Sequence, residues 1–188
     1  MVKKNTCVFI SGQGSNLKNL INKSRDYNFP INIKLVICNN LNAKGLNYAR
    51  KYSIPFFVIN TKIRNFEQII LDKLKKKKIT LVCLAGYMKI LSNNFLKNYR
   101  NIILNIHPSL LPKFKGLNTF SRILRENEIK TGCTVHYVNE KLDGGKKIVQ
   151  KSFFINSNDN ENDLKTKTQK LEYLAYPEAI IKIFNTNS

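Results

Sequence analysis

Asn105 and His107 occupy alternate residues of the run NIILNIHPSLLP, where an apolar strand runs out into a Ser-Leu-Leu-Pro turn. Residues two apart on a strand project to the same face, so the pair would share one surface. An imidazole gives or takes a proton near neutrality, and a carboxamide N–H can stabilise an oxygen on which negative charge develops. Pro108 restrains His107 to an extended backbone and stiffens the turn behind it. A lone His is commonly a packing residue, but an Asn on the same face shifts the reading toward proton transfer beside an oxyanion. Asp143, in the segment LDGG, is a candidate carboxylate to orient the imidazole and favour its charged form. An Asp before Gly-Gly equally suits a plain turn. The chain has two histidines. The second, His136 in TVHYV, reads as structural or supporting.

A second candidate is the stretch SGQGSN (11–16), between a short apolar run and an amphipathic segment. Its glycines let backbone approach a ligand, and N–H groups at a helix start favour an anion. It lacks the third glycine of a dinucleotide turn and the GK[ST] of a nucleotide-triphosphate loop. A phosphate monoester is the better match, with an ordinary tight turn as the plain alternative.

These residues need elements to position them. Apolar patterning predicts strands at Thr6–Ile10, 33–39, 55–60, 79–86 and through NIILNI, with helices from Leu17 to about Arg25, at 44–52, 66–76 and 92–98 between them. Strands alternating with helices indicate a mainly parallel sheet covered by helices on both faces. In such sheets ligands bind beyond the carboxyl ends of the strands. Gly12–Asn16, Gly86–Leu91 and Asn105–Ser109 all fall there. TVHYVNE and KKIVQKSFFIN, separated by KLDGG, read as strands of a more antiparallel C-terminal portion. The polar SNDNEND reads as a loop. Asn162 or Asp163 is placed to cap a final helix reaching about Phe184, with a kink or break at Pro177.

The chain has 188 residues and 43% hydrophobic content, enough for one domain with a substantial core. No apolar stretch approaches the length of a membrane span, and CVFI is too short for a secretory signal. A soluble cytoplasmic protein is expected, with an organellar location left open. Cys7, Cys38, Cys83 and Cys133 sit among Val, Ile and Leu without a CxxC or Cys/His cluster, so buried thiols are expected and a metal is not. The net charge of +20 would ordinarily suggest nucleic acid. The lysines, however, are dispersed, and the compact run Lys75–Lys78 ends a predicted helix, where cations meet the helix dipole favourably.

ISGQGSN, AGYMKIL, LNIHPSLLPKFKG and LDGG, in this order, resemble the phosphoribosylglycinamide formyltransferases, within the wider 10-formyltetrahydrofolate transferase and hydrolase superfamily. The resemblance runs from near residue 6 to Pro177. It implies formyl transfer from 10-formyltetrahydrofolate, as co-substrate and with no metal, to the amine of 5′-phosphoribosylglycinamide in de novo purine (IMP) biosynthesis. It implies a formyltransferase-type α/β fold of one domain, 1–188. About 1–100 would form a nucleotide-binding half, and about 101–188 a catalytic and folate-binding half. Asn105, His107 and Asp143 are implied as the catalytic set, with Asn105 and a protonated His107 facing the oxyanion. Gly14, Ser15 and Asn16 would hold the ribonucleotide phosphate, and Gln169, Lys170, Leu171 and Glu172 would also contact the ribonucleotide. Arg64, Met88, Lys89, Ile90, Leu91, Asn105, Asn139, Glu140, Lys141, Leu142 and Asp143 would line the folate site.

The chain departs from that family at Lys115, Asn118 and Phe120, where a Pro and two histidines are usual, which bears on the behaviour of that loop. Rival readings are a formyltetrahydrofolate hydrolase, which usually carries an added N-terminal regulatory domain, and methionyl-tRNA formyltransferase, which normally has an added C-terminal one. Another class is a basic nucleic-acid-binding protein with a decayed active site. The presence of Asn105, His107 and Asp143, and the lack of an aromatic-rich basic strip, argue against it. The expected partners are therefore the two small substrates, to a monomer or homodimer, with neither membrane nor nucleic acid.

Overall fold

In the run CVFI every residue is inaccessible to solvent, and it forms the end of β1 (Lys4–Ile10). A strand covered on both faces reads as a continuous apolar run. The computed structural model describes residues 2–185. They divide into two compact units between Leu104 and Asn105.

In the first unit β1 pairs in parallel with β2 (Ile31–Cys38), Val8 opposite Val36, and with β4 (Leu81–Leu84), Val8 opposite Cys83. On its other side β2 pairs in parallel with β3 (Phe56–Val58), giving the order β3-β2-β1-β4. Helices α1 (Ser15–Ser24), α2 (Leu46–Lys51) and α3 (Phe66–Lys76) make the connections, and α4 (Asn93–Asn98) follows β4. Strand order moves outward from β1 to β3 and then returns across β1 to β4. With right-handed crossovers this requires helices on both faces. The reversal between β1 and β4 is where an open sheet forms its ligand crevice. Two bonds fix the chain there: the Ser11 N–H donates to the Gly86 carbonyl (3.1 Å), and the Met88 N–H donates to Ser11 Oγ (2.8 Å).

Local chemistry explains these elements. Leu17, Leu20 and Ile21, at helical spacing, are the buried stripe of α1. Gly14 precedes it with φ 72°, and a Cβ there would lie 2.5 Å from the Gly45 Cα, so the position requires glycine. Ser92 caps α4 by accepting from the Phe95 N–H (3.0 Å), while the Glu67 carboxylate accepts from both the Ser92 N–H and its hydroxyl. Lys73, Lys75 and Lys76 occupy the last turn of α3, and Lys73 covers the Phe57 ring at 3.7 Å.

The second unit begins in β5 (Ile102–His107) at Asn105 and continues through α5 (Thr119–Arg125), β6 (Lys130–Tyr137), β7 (Lys147–Phe154) and α6 (Glu161–Asn185). β6 lies between β5 and β7 and pairs antiparallel with β7, Thr134 opposite Gln150. The register shifts between Val135 and His136, which face Val149 and Lys147. Helix α6 packs on β6 and β7 through a face that includes Leu164, Ala175, Tyr176, Ala179 and Ile180. Phe114, Ile123 and Leu164 form a core cluster joining the loop, α5 and α6. The α/β architecture is thus the expected one, parallel strands with helices followed by an antiparallel C-terminal portion.

Several boundaries differ from expectation. The helix α5 was not anticipated. Phe120, Ile123 and Leu124 carry its helical spacing, but seven residues behind a left-handed Asn118 (φ 53°) give little periodicity to detect. β6 starts at Lys130, ahead of Thr134. The final helix is capped by neither Asn162 nor Asp163; Asn160 Oδ1 accepts from both of their N–H groups. It also runs through Pro177 as one assigned helix, held by its packed face on the two strands. All four cysteines are buried and free.

Phe95 is fully buried, with its ring centroid 6.5 Å from that of Phe9 and 6.1 Å from that of Tyr99. Phe95→Ala is expected to cost about 3–5 kcal/mol, measured by urea unfolding at an unchanged slope. A cost under about 1 kcal/mol would remove this aromatic cluster from the core.

Candidate active site

Asp143 follows Leu142 in the LDGG turn with a left-handed backbone (φ 45°), a conformation that Asp tolerates better than most residues. The turn aims its carboxylate inward, and the side chain is 7% exposed. Four groups surround it. Oδ2 accepts from the Gly116 N–H at 2.9 Å and lies 3.3 Å from His107 Nδ1. Oδ1 lies 3.4 Å from Asn105 Nδ2 and 3.6 Å from His136 Nε2. Burial alone would raise the carboxyl pKa. The His136 contact, the Gly116 N–H and the neighbouring imidazoles overcome it, and Asp143 is held below its ordinary value.

The structure therefore brings Asn105, His107 and Asp143 together. β5 supplies the first two on one face, as alternate strand residues must be. His107 Nε2 lies 2.8 Å from the Phe114 carbonyl oxygen, so both ring nitrogens face acceptors. Only the doubly protonated ring satisfies both. Burial opposes that charge: it lowers the His107 pKa, and the pull of the Phe114 carbonyl and of Asp143 in the other direction does not cancel it. Asp143 acts on the imidazole in the expected direction, while the net shift is downward. The cause is desolvation of a residue only 5% exposed.

The turn after His107 is fixed from beneath. Thr134 Oγ1, fully buried on β6, donates to the Ser109 carbonyl (2.7 Å) and accepts from the Leu111 N–H (3.1 Å) and Gln150 Nε2 (2.8 Å). Gln150 Nε2 also donates to the Leu111 carbonyl (3.0 Å), and Ser109 Oγ to that of Lys113 (2.7 Å). This buried network leads the chain to Phe114, whose left-handed backbone (φ 56°) brings its carbonyl to His107.

His136 stands outside the set expected to do chemistry, yet it is 2% exposed and touches both Asn105 (3.3 Å) and Asp143. A buried His in an otherwise apolar strand was the available signal. The Gly116 N–H and the Phe114 carbonyl were not legible, since backbone groups leave no residue-type signature.

The remaining candidates are placed as follows. Asn16 is buried at the start of α1, which has no acidic residue in its first turn, as suits an anion nearby. Arg64 is exposed before α3. Met88 and Ile90 are 72% and 71% exposed apolar side chains, Lys89 is exposed, and Leu91 turns into the core at 7%. In the second unit Asn139, Glu140, Lys141 and Leu142 form the exposed approach to Asp143, with Asn139 Oδ1 accepting from the Lys141 N–H (3.0 Å). On α6, Gln169, Leu171 and Glu172 are half-buried and Lys170 is exposed. The Glu172 charge adds to burial in pushing the Cys133 thiol up to about 12.

No described helix is long and apolar enough to cross a membrane. Among the described residues no group of three or more His, Cys, Asp or Glu could hold a metal ion.

The formyl transferase family model matches residues 4–180. The chain is 40% identical over 187 residues to a phosphoribosylglycinamide formyltransferase of Haemophilus influenzae, covering 96% of this chain and 87% of that protein. It is 38% identical to the trifunctional purine biosynthetic protein adenosine-3 of Drosophila melanogaster, covering 97% of this chain but spanning only 14% of that much longer protein. The crystal structure of the phosphoribosylglycinamide formyltransferase from Anaplasma phagocytophilum superposes with a TM-score of 0.91 at 37% identity, over 98% of this chain and 88% of that one.

The depressed pKa values of His107 and Asp143 make the folded chain take up protons less readily than the unfolded one, so stability falls with acid. For His107 the penalty is absent above its ordinary 6.5, sets in as pH falls below that value, and is complete below the folded pKa. For Asp143 the stabilisation is full above its ordinary 3.8 and is lost as pH falls through the folded pKa. Urea midpoints of the protein minus those of His107→Gln, taken from pH 7.5 to 3, should decline below about pH 6.5. A difference that rises between pH 7 and 5 would reverse the direction assigned to His107.

Proposed function

The chain belongs to the formyl transferase family, and on that basis we propose that it transfers a formyl group from 10-formyltetrahydrofolate to the amine of 5′-phosphoribosylglycinamide. The products are formylglycinamide ribonucleotide and tetrahydrofolate, a step of de novo purine biosynthesis. The observation that carries this reading is the carboxylate of Asp143 set against both His107 and Asn105. Formyl transfer to an amine needs a proton moved and a carbonyl oxygen stabilised as it becomes negative, and this set contains groups for both.

The folate co-substrate supplies the formyl group. The exposed apolar Met88, Ile90 and Leu142 suit the body of a pterin, and Arg64, Lys89 and Lys141 suit acidic groups at its far end. Leu91, being buried, contributes through its backbone. Gly14, Ser15 and Asn16 are assigned to the ribonucleotide phosphate, because a glycine turn opening a helix without acidic residues favours an anion. Gln169, Lys170, Leu171 and Glu172 are assigned to the rest of the ribonucleotide, with Glu172 as carboxylate partner for its amine.

His107, disposed by burial to be neutral, is suited to take the proton released as the amine attacks. The imidazolium so formed has Asp143 on Nδ1 to stabilise it, and with Asn105 it places positive charge and an N–H beside the oxyanion. The same proton can then pass to the departing folate nitrogen. The protein is assigned to the cytoplasm as a monomer or homodimer, and its positive charge to solvated lysines and covers over aromatic rings rather than to nucleic acid.

Formyl transfer should require both donor and glycinamide ribonucleotide, measured by omitting each in turn. Donor consumption indifferent to the ribonucleotide would favour the hydrolase alternative. His107→Ala and Asp143→Asn should each lower turnover by roughly 100-fold or more. Full turnover in either variant would remove that residue from the reaction.

A further inference from the structure

Between His107 and helix α5 the chain makes a loop in which Phe114 (φ 56°), Gly116 (φ 78°) and Asn118 (φ 53°) all have left-handed backbones. Two neighbouring peptide groups of this loop face the site. The carbonyl of the first, at Phe114, lies 2.8 Å from His107 Nε2, and the N–H of the second, at Gly116, donates to Asp143 Oδ2 at 2.9 Å. The second peptide also has a carbonyl, that of Lys115, which accepts from Arg122 Nη1 at 2.7 Å. A trans peptide is planar and directs its C=O and N–H to opposite sides. One rigid group is therefore held at its negative end by a guanidinium and at its positive end by a carboxylate.

We propose that Arg122 is a positioning residue for His107 and Asp143, holding the peptide between Lys115 and Gly116 in the orientation that presents its N–H to the carboxylate and keeps the Phe114 carbonyl at the imidazole. Something must select that orientation. Glycine adopts either sign of φ with similar ease, and a turn can exchange one orientation of its central peptide for the other. Turned over, the group would point its carbonyl at Asp143 and its N–H at Arg122, setting like charge against like at both ends. Asp143 opposes that flip from one side and Arg122 from the other.

Arg122 is itself fixed. Its guanidinium carbon lies 5.5 Å from the centre of the Phe114 ring, which is packed with Ile123 and Leu164. One side chain thus holds residue 114 through its ring and residue 115 through its carbonyl. Its charge also reaches His107: burial lowers that pKa most, Arg122 and His136 act in the same sense, and the Phe114 carbonyl and Asp143 oppose them. A helix-end role does not account for these contacts. Arg125 shares the last turn of α5 and would answer the helix dipole equally well.

Amide exchange tests this placement without reference to the reaction, whereas the kinetic test rests on the formyl-transfer reading. Arg122→Met keeps an apolar stem over Phe114 and removes the donor and the charge. By NMR it should speed exchange of the Gly116 N–H by roughly 10-fold or more, leaving the amides of β6 as they were. Arg122→Lys should recover most of the protection, and Arg125→Met should change nothing there. In steady-state assays Arg122→Met should lower kcat by roughly 10-fold with both KM values within about 2-fold, and Arg122→Lys should regain most of that rate. Unchanged Gly116 exchange or undiminished kcat in Arg122→Met, equal acceleration in Arg125→Met, or a kinetic loss confined to KM would each refute the proposal. If wild type transfers no formyl group the functional reading fails, and the exchange rates still decide this one.

Discussion

A single buried carboxylate organises the candidate site in the second unit of this chain. Asp143 has four lone-pair directions and four groups around them: the Gly116 N–H, His107, Asn105 and His136. They come from a loop and two strands, and each is at or just beyond hydrogen-bond distance. A buried carboxylate without such partners would neutralise itself by taking a proton. With them it stays ionised, and the residues it draws together keep a fixed relation to one another.

Holding that carboxylate has local consequences in the backbone. Asp143 and Phe114 both have left-handed φ values, a conformation that costs free energy for residues with a side chain and that clusters at functional sites. Each supplies His107 with one of its acceptors, the first through a side chain and the second through a carbonyl. The surroundings that hold them there are identifiable. The Phe114 ring is packed with Ile123 and Leu164, while the Ser109–Thr134–Gln150 network secures the turn leading to it. The packed core and the polar network thus act on the same imidazole from opposite ends of one short loop.

What could be read from residue types follows from how directly they report burial. CVFI and LVCL announce two-sided strands because nothing polar survives in them. Asn105 and His107 are legible because strand periodicity places them together whatever the rest of the chain does. Helix α5 escapes notice because two turns contain too little of the helical period, and Pro177 misleads because packing along α6 outweighs one missing N–H. His136 is the instructive case. Its residue type was visible, but the register shift between Val135 and His136 is not a property of side-chain pattern.

The His107 imidazole is both buried and flanked by acceptors, and each condition limits the other. Burial without acceptors would make a His inert, and acceptors without burial would leave it charged throughout the neutral range. Together they bring the two protonation states closer in free energy, with burial prevailing. A group that must accept a proton and return it within one reaction cycle works best when neither state is far below the other. The two acceptors do different work within that balance. The Phe114 carbonyl pulls harder and through its dipole, the Asp143 carboxylate through its charge, and both favour the cation.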